Sequence, residues 1–262
     1  MKVNSVSAAV LFSVTLVAPV SAADLRQPFI VPEAKPAADD DWSFAVSPYS
    51  WAAGISGDVA QFGLPEVHLE SDFGDILKDL DFGFMAIGEA RHDRFSIFGD
   101  IMYTKVSSGV TTPLGIAAGS VDTTSETFAG LVGVGYAILD DSRGNLDVVA
   151  GARLWHASTE ISFSGGLLDG VSDSDSATWV DAIAGVRGRY FLTASLYVSA
   201  WGLIGAGQAD LDWDIAAGLG YEFNERISAT AGYRALGVDY SHDGFVFDVV
   251  QQGPILGLVV RF

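Results

Sequence analysis

The chain has 262 residues, no cysteine and a formal net charge of −19, yet 49% of its residues are hydrophobic and 30 are glycine. The length suits one large all-β domain, and the lack of cysteine excludes disulfide frameworks, cysteine-based metal sites and thiol catalysis. An α-helical membrane protein would gather its apolar residues in long runs, whereas here apolar and polar residues alternate.

Residues 1–22 have the parts of a secretory signal peptide: Lys2 near the start, an apolar stretch over 8–20 and the small residues Ser21 and Ala22 at its end. The apolar stretch is shorter than the roughly 20 residues that a membrane-spanning helix needs, so cleavage and export are predicted rather than anchoring. Residues 23–41 contain three prolines and several charges without periodicity, which indicates a periplasmic linker.

From Trp42 onward apolar residues recur at every second position, in segments of the roughly 9–11 residues that a tilted strand needs to cross a bilayer. The segments before and after residues 92–94 form a predicted hairpin, and the pattern continues to the C-terminus. It predicts about ten strands, and eight or twelve also fit the pattern. Short turns are expected near residues 92, 142, 194 and 225, with long connections over 57–80, 107–121, 158–176 and 241–250 and a tighter one near 208.

Charged residues fall on the strand face opposite the apolar one. A soluble barrel would turn these charges toward water, whereas a membrane barrel would enclose them in its lumen, and alternation alone fits both. Aromatic residues at strand ends, such as Phe95, Tyr136 and Tyr221, favour the membrane because they lie where an interfacial girdle belongs. We therefore predict a closed antiparallel up-and-down transmembrane β-barrel over residues 42–262. Its lumen charge network would comprise Glu89, Asp100, Arg153, Asp181, Arg187 and Arg234.

The last strand carries a recognisable pattern. Leu256, Leu258 and Val260 alternate before the terminal Phe262. This ending resembles the final strand of Gram-negative outer-membrane β-barrel proteins, although that family often has an aromatic residue at the position of Val260. The layout of residues 42–262 is similar to small porin-like and OmpA-like barrels. The resemblance implies location in the outer membrane, contact with its lipids and recognition of the last strand by the barrel assembly machinery.

The long connections are acidic. Carboxylates cluster over residues 58–81, where Lys78 is the one basic residue, and again over 160–175. Such a surface disfavours nucleic acid, and it suits divalent cations that bridge lipopolysaccharide phosphates. Within the first connection, residues 72–80 have the spacing of a short helix. No cofactor or metal motif is present in the sequence.

These features predict a non-enzymatic barrel that is either a structural component of the membrane or a narrow, porin-like channel for small solutes. One alternative is a lipid-modifying enzyme or protease that uses His156 or His242 as a general base. Against it, the sequence has no Gly-x-Ser-x-Gly elbow and no signature of a known outer-membrane hydrolase. A second alternative is adhesion through the long loops.

Overall fold

The computed structural model describes residues 42–112 and 118–262, so the predicted signal peptide and linker lie outside the described residues. Within them, ten strands close an antiparallel barrel and two further strands extend one side of it, which confirms the predicted fold class. The barrel strands are β1 (Ser43–Trp51), β4 (Leu80–His92), β5 (Phe95–Thr111), β6 (Ser120–Asp141), β7 (Gly144–Ser164), β8 (Ser172–Phe191), β9 (Leu196–Gly207), β10 (Leu211–Glu222), β11 (Ile227–His242) and β12 (Phe245–Arg261). The additional strands are β2 (Gly54–Ala60) and β3 (Val67–Ser71).

Neighbours in sequence pair around the barrel, and β1 closes it against β12 in the register Val46–Val260. The terminal residue takes part, because the backbones of Phe44 and Phe262 exchange hydrogen bonds of 3.1 and 3.0 Å. The four predicted short turns lie at one end, together with both ends of the barrel domain. In outer-membrane barrels this is the periplasmic end. We call it the lower end and the opposite end the upper end.

The two faces of each strand have opposite character. Outward side chains are apolar and exposed, as in Val132 (61%) and Ile204 (62%), whereas inward Arg153 and Asp214 are each 1% exposed. A protein surrounded by water would show the reverse. The apolar face therefore meets lipid and the charged face is enclosed, which settles the choice that alternation leaves open.

Aromatic residues mark both edges of the apolar band. The lower edge carries exposed rings that include Phe95, Tyr136, Tyr190, Tyr221, Phe223 and Phe262. At the upper edge, Phe84, Tyr103 and Phe128 align across three neighbouring strands. Along β6 the interval from Phe128 to Tyr136 spans roughly 20 Å of depth, given ~3.3 Å per residue and a tilt of ~40°. This matches the hydrocarbon layer of a thin outer membrane.

Several strands continue above the band, where the sequence predicts loops. The predicted connection over 107–121 is occupied by strand as far as Thr111 and from Ser120, and that over 158–176 as far as Ser164 and from Ser172. The predicted long connection over 241–250 is wrong. There β11 and β12 join through Asp243 and Gly244, whose positive φ values of 49° and 85° suit a tight hairpin turn. In the upper parts of β5 to β8 serine, threonine and aspartate occupy both strand faces, so the alternation that reveals these strands lower down disappears.

The first predicted connection, over 57–80, holds β2, β3 and a short helix, α1 (Phe73–Asp79). The helix confirms the prediction from its spacing, and Asp72 caps it by accepting a hydrogen bond of 2.9 Å from the Asp75 backbone N–H. β2 continues the line of β1 and pairs with β12, while β3 pairs with the other edge of β2. None of the helices in residues 42–112 and 118–262 is long and apolar enough to span a bilayer.

The lipid-facing band can be tested on one strand. Ala184 and Ser176 both point outward from β8, Ala184 within the band and Ser176 above it. We expect Ala184→Arg to lower the free energy of unfolding by ~2–4 kcal/mol, because it places a cation in hydrocarbon. Ser176→Arg should change it by less than about 0.5 kcal/mol. Urea titration in lipid vesicles measures both, and equal effects would contradict the assigned membrane position.

Candidate functional site in the barrel lumen

The lumen contains two layers of charged side chains. The upper ionic layer comprises Asp100, Arg153, Asp212, Asp214 and Arg234, all at most 6% exposed. Arg234 on β11 lies between β5 and β10: its guanidinium donates to Asp100 Oδ2 at 2.8 Å and to Asp214 Oδ2 at 2.7 Å. The Tyr49 hydroxyl joins them, because it accepts from Arg234 at 2.8 Å and donates to Asp100 at 2.8 Å. One guanidinium thus connects three strands across the barrel.

The second arginine of this layer, Arg153 on β7, shares Asp214 with Arg234 and extends the network to Asp212. It donates to Asp212 and, at 2.8 Å, to Asp214. Indole N–H groups complete the acceptor shells: Trp155 donates to Asp212 and Trp201 to Asp214, each at 2.8 Å. Burial of a charge costs far less when the charge is paired and hydrogen-bonded in this way. The upper ionic layer is therefore a specific network of ion pairs and hydrogen bonds.

The lower ionic layer comprises Glu89, Arg91, Asp147 and Arg187. Arg91 donates to Glu89 at 3.0 Å and also to Asp147, while Arg187 pairs with Glu89. Two guanidiniums face two carboxylates, so the layer is electrically balanced. Arg187 also lies 4.5 Å from the centroid of the Phe98 ring. Phe98 belongs to an apolar layer that separates the two ionic layers and also contains Leu131, Val149, Ile183 and Leu203.

Above the upper ionic layer lies an aromatic cluster of Trp155, Trp179, Tyr240, Phe245 and Phe247. Trp179 stacks on Tyr240 at 4.2 Å between ring centroids, and Trp155 stacks on Trp179 at 5.9 Å. Higher still, the tip of the β2–β3 hairpin reaches across the mouth, where the Phe62 backbone N–H donates to Asp175 of β8 at 2.6 Å. From the lower end to the mouth, the described lumen thus contains an ionic layer, an apolar layer, a second ionic layer and an aromatic cluster in succession.

All six residues of the predicted lumen charge network point inward, but the structure distributes them over different groups. Asp100, Arg153 and Arg234 meet in the upper layer, and Glu89 and Arg187 meet in the lower one. Asp181 joins neither: its Oδ1 accepts from the Ala209 backbone N–H at 2.8 Å, and within the described residues its Oδ2 has no hydrogen-bond partner.

Sequence reasoning did not include Arg91, Asp147, Asp212 and Asp214 in the predicted network. Strand parity places them on the inner face, but their partners lie far away along the chain. Arg153 and Asp212, for example, are 59 residues apart. The roles of Trp155 and Trp201 as indole donors were also not predicted. The sequence does not indicate which carboxylate an inward-facing indole N–H will contact.

The histidines proposed for catalysis in the enzymatic alternative lie apart from the lumen. His156 faces outward and its Nδ1 is 2.7 Å from the Thr178 hydroxyl, while His242 Nε2 lies 3.2 Å from the exposed Asp243 at the last upper turn. Among the residues that the structure describes, no group of three or more histidine or acidic side chains is placed to hold a metal ion.

The outer wall above the membrane carries a row of like charges. Asp239, Asp248 and Asp58 stand directly opposite one another on β11, β12 and β2, and the row ends at His68, which lies 2.8 Å from Asp58. Partial burial raises the pKa of Asp239, and the neighbouring Asp248 and Asp210 raise it further. Directly opposed like charges destabilise a sheet, so this row costs stability when it is ionised.

Comparison with solved structures supports the fold. The outer membrane protease OmpT from Escherichia coli superposes with a TM-score of 0.50 and 11% identity, over 86% of this chain and 98% of that one. Ail, the attachment invasion locus protein of Yersinia pestis, gives a TM-score of 0.37 and 15% identity, over 84% and 98% of the two chains. No family model and no curated protein matches the sequence.

At this identity the likeness to OmpT concerns the fold alone. Together with the apolar exterior and the enclosed charges, it shows that the chain has the transmembrane β-barrel fold of Gram-negative outer-membrane proteins.

The upper ionic layer makes a direct prediction about stability. Arg234→Ala leaves Asp100 and Asp214 buried without their guanidinium, which should lower the free energy of unfolding by ~3–5 kcal/mol. Arg226→Ala removes the same charge from an exposed lower turn and should change it by less than about 0.5 kcal/mol. Denaturant titration of the refolded barrel measures both. A loss below ~1 kcal/mol for Arg234→Ala would show that the layer contributes little.

The acidic row predicts a pH dependence. Because the pKa of Asp239 is raised in the folded state, its ionisation opposes folding above that pKa, and the penalty disappears as the pH falls below it. Asp239→Asn should therefore stabilise the protein at neutral pH by a few tenths of a kcal/mol, after allowance for solvent screening, and have no effect at about pH 3. Glu225→Gln, on an exposed lower turn, is the control that removes one negative charge without an opposed partner. Destabilisation by Asp239→Asn at neutral pH would show that the row is held by some favourable contact.

Proposed function

We propose that this protein is an integral outer-membrane barrel with a structural or narrow-channel role, and that its lumen offers no wide aqueous path. The observation that carries the proposal is the sequence of layers along β7. Asp147 lies in the lower ionic layer, Val149 in the apolar layer, Arg153 in the upper ionic layer and Trp155 in the aromatic cluster. A solute on the barrel axis would have to displace each of them.

Barrel size supports the same conclusion. Eight-stranded barrels have interiors filled by side chains, whereas porins with aqueous channels have 16 to 18 strands. Ten strands lie near the filled end of this range. Dispersing the upper ionic layer would break at least four charge-assisted contacts between buried side chains, which makes spontaneous opening costly.

Current recording in planar bilayers tests the proposal. The purified barrel should show no large, stable open currents of the size given by a porin reconstituted in the same way. Any small residual conductance should favour cations, because the upper surface and the upper ionic layer both carry an excess of carboxylates. Large, long-lived currents from the wild-type protein would contradict a filled lumen.

We further propose that the protein is not an enzyme. His156 and His242 lie on different parts of the upper wall, and among the described residues neither hydrogen bonds to a serine hydroxyl that it could activate. Lipid and peptide hydrolysis by the wild type and by His156→Ala/His242→Ala decides the matter: the two should be indistinguishable, and activity lost with the histidines would overturn the proposal.

The partners that we propose follow from the surface. Outer-membrane lipids would contact the apolar band, and lipopolysaccharide phosphates would reach the acidic upper surface through divalent cations. The alternation of Leu256, Leu258, Val260 and Phe262 supports recognition by the assembly machinery. In the folded barrel these side chains face outward, Leu256 at 62% and Phe262 at 70% exposure, so they are available to a partner before lipid surrounds them.

A further inference from the structure

Within the described barrel wall, two neighbouring strands stop pairing part-way along their length. β1 and β4 are paired from Ser43–Arg91 up to Pro48–Ala86. Above this point β1 stays paired with β12 as far as Trp51, and β4 stays paired with β5. In this part of the described wall, residues 49–53 and 82–85 face each other with no ladder between them. We call this opening the β1–β4 seam.

The seam begins below the upper aromatic edge of the membrane band. In the ladder, Ala86 is opposite Ile101, whereas Phe84 and Tyr103 form the next outward pair above it and belong to the girdle. Two residues along a tilted strand correspond to about 5 Å of depth. The lower end of the seam therefore lies at the depth where the acyl chains of outer-leaflet lipids join their head groups.

Backbone groups at this depth need hydrogen-bond partners. Unpaired N–H and C=O groups are costly in hydrocarbon, which is why membrane barrels close completely. Helix α1 packs against β2 and β5 at the top of the seam, and Asp81, just after it, accepts a 2.5 Å hydrogen bond from the Ser107 hydroxyl. Lower down, no backbone hydrogen bond among the described residues joins the facing edges of residues 49–53 and 82–85.

The side chains along the seam are uncharged and mostly apolar or small. Phe82 and Phe84 are exposed on the outer side, at 55% and 49%. On the inner side, Met85 packs against a buried apolar cluster that includes Trp51 and Met102. A ligand suited to this place has polar atoms that accept or donate to strand backbone, next to a hydrocarbon chain. An ester- or amide-linked acyl chain of a lipid has both.

We propose that the β1–β4 seam binds an acyl chain of an outer-leaflet lipid, with the carbonyl of its linkage at the open strand edges and the chain entering between them to contact Met85 and Met102. Entry is lateral because the ionic layers fill the barrel axis. Flexible methionine side chains suit an apolar ligand that has to be accommodated by small rearrangements.

Photolabelling in vesicles tests the proposal on the full mature chain. The vesicles are made of phosphatidylethanolamine with a small fraction of phosphatidylcholine that carries a diazirine in its acyl chain, and labelled residues are mapped by mass spectrometry. We expect label on inward Met85 and Met102 as well as on Tyr221 of the lower girdle, which reports ordinary lipid contact. Label on Tyr221 but none on either methionine would overturn the proposal.

Because the chain has no cysteine, the seam can be closed by design. Ser50 and Phe84 would be opposite each other if the β1–β4 register continued, so Ser50→Cys/Phe84→Cys can be bridged by a short bismaleimide. Bridging should reduce the label on Met85 and Met102 at least tenfold and leave that on Tyr221 unchanged. Ala217→Cys/Tyr233→Cys, an outward pair on the intact β10–β11 wall, is the matched control and should change neither.

Methionine labelling that persists in the bridged seam variant would equally contradict lateral entry. Heat-modifiable migration in gels verifies that each variant is folded before it is labelled. The outcome is independent of the current recordings, since a barrel that conducts along its axis could still bind lipid at the seam, and a barrel that does not conduct could fail to bind it.

Discussion

Hydrocarbon offers no hydrogen-bond partners, and this constraint orders the whole molecule. Every strand has to find a neighbour, so the sheet closes through β1 and β12. Its outer face has to be apolar, so charged residues such as Arg153 and Arg234 are directed inward. Once enclosed, they cannot remain alone, because an unpaired buried charge is far more costly than a paired one. The two ionic layers therefore follow from the apolar exterior, because charged residues that cannot face lipid are enclosed and pair with one another.

The same logic explains the layered lumen. Each arginine of the upper layer contacts more than one carboxylate, and the indoles of Trp155 and Trp201 supply further donors to the same acids. Apolar side chains occupy the depth between the ionic layers, where no charge partner is available. These layers across the barrel axis are the basis on which we propose that the lumen offers no wide aqueous path. The β1–β4 seam is the part of the wall where we propose that lipid contacts the interior.

Much of the fold could be predicted from the sequence. In the membrane, successive side chains of a strand point alternately to lipid and to the lumen, so apolar and polar residues alternate along the sequence as well. Arg153 and Arg234, which that period assigns to the lumen charge network, are both buried in the lumen. The period does not orient β9, because its inward Tyr197, Trp201 and Leu203 are as apolar as its outward face. Strand above the membrane was mistaken for loop, since water on the outside removes the contrast. The partners of Arg153 were not predictable, because pairing across the lumen depends on barrel curvature and not on local pattern.

The central claim is that the apolar face of each strand touches lipid while the ionic face is enclosed. Single spin labels on cysteines introduced at consecutive positions from Leu146 to Trp155 of β7, in lipid vesicles, test it most directly. Collisions with oxygen should be frequent at Val148, Ala150 and Leu154 and rare at the alternate positions, and a water-soluble nickel complex should reach neither set. Frequent collisions of the nickel complex at Val148, Ala150 and Leu154 would mean that this face meets water, and would contradict the account.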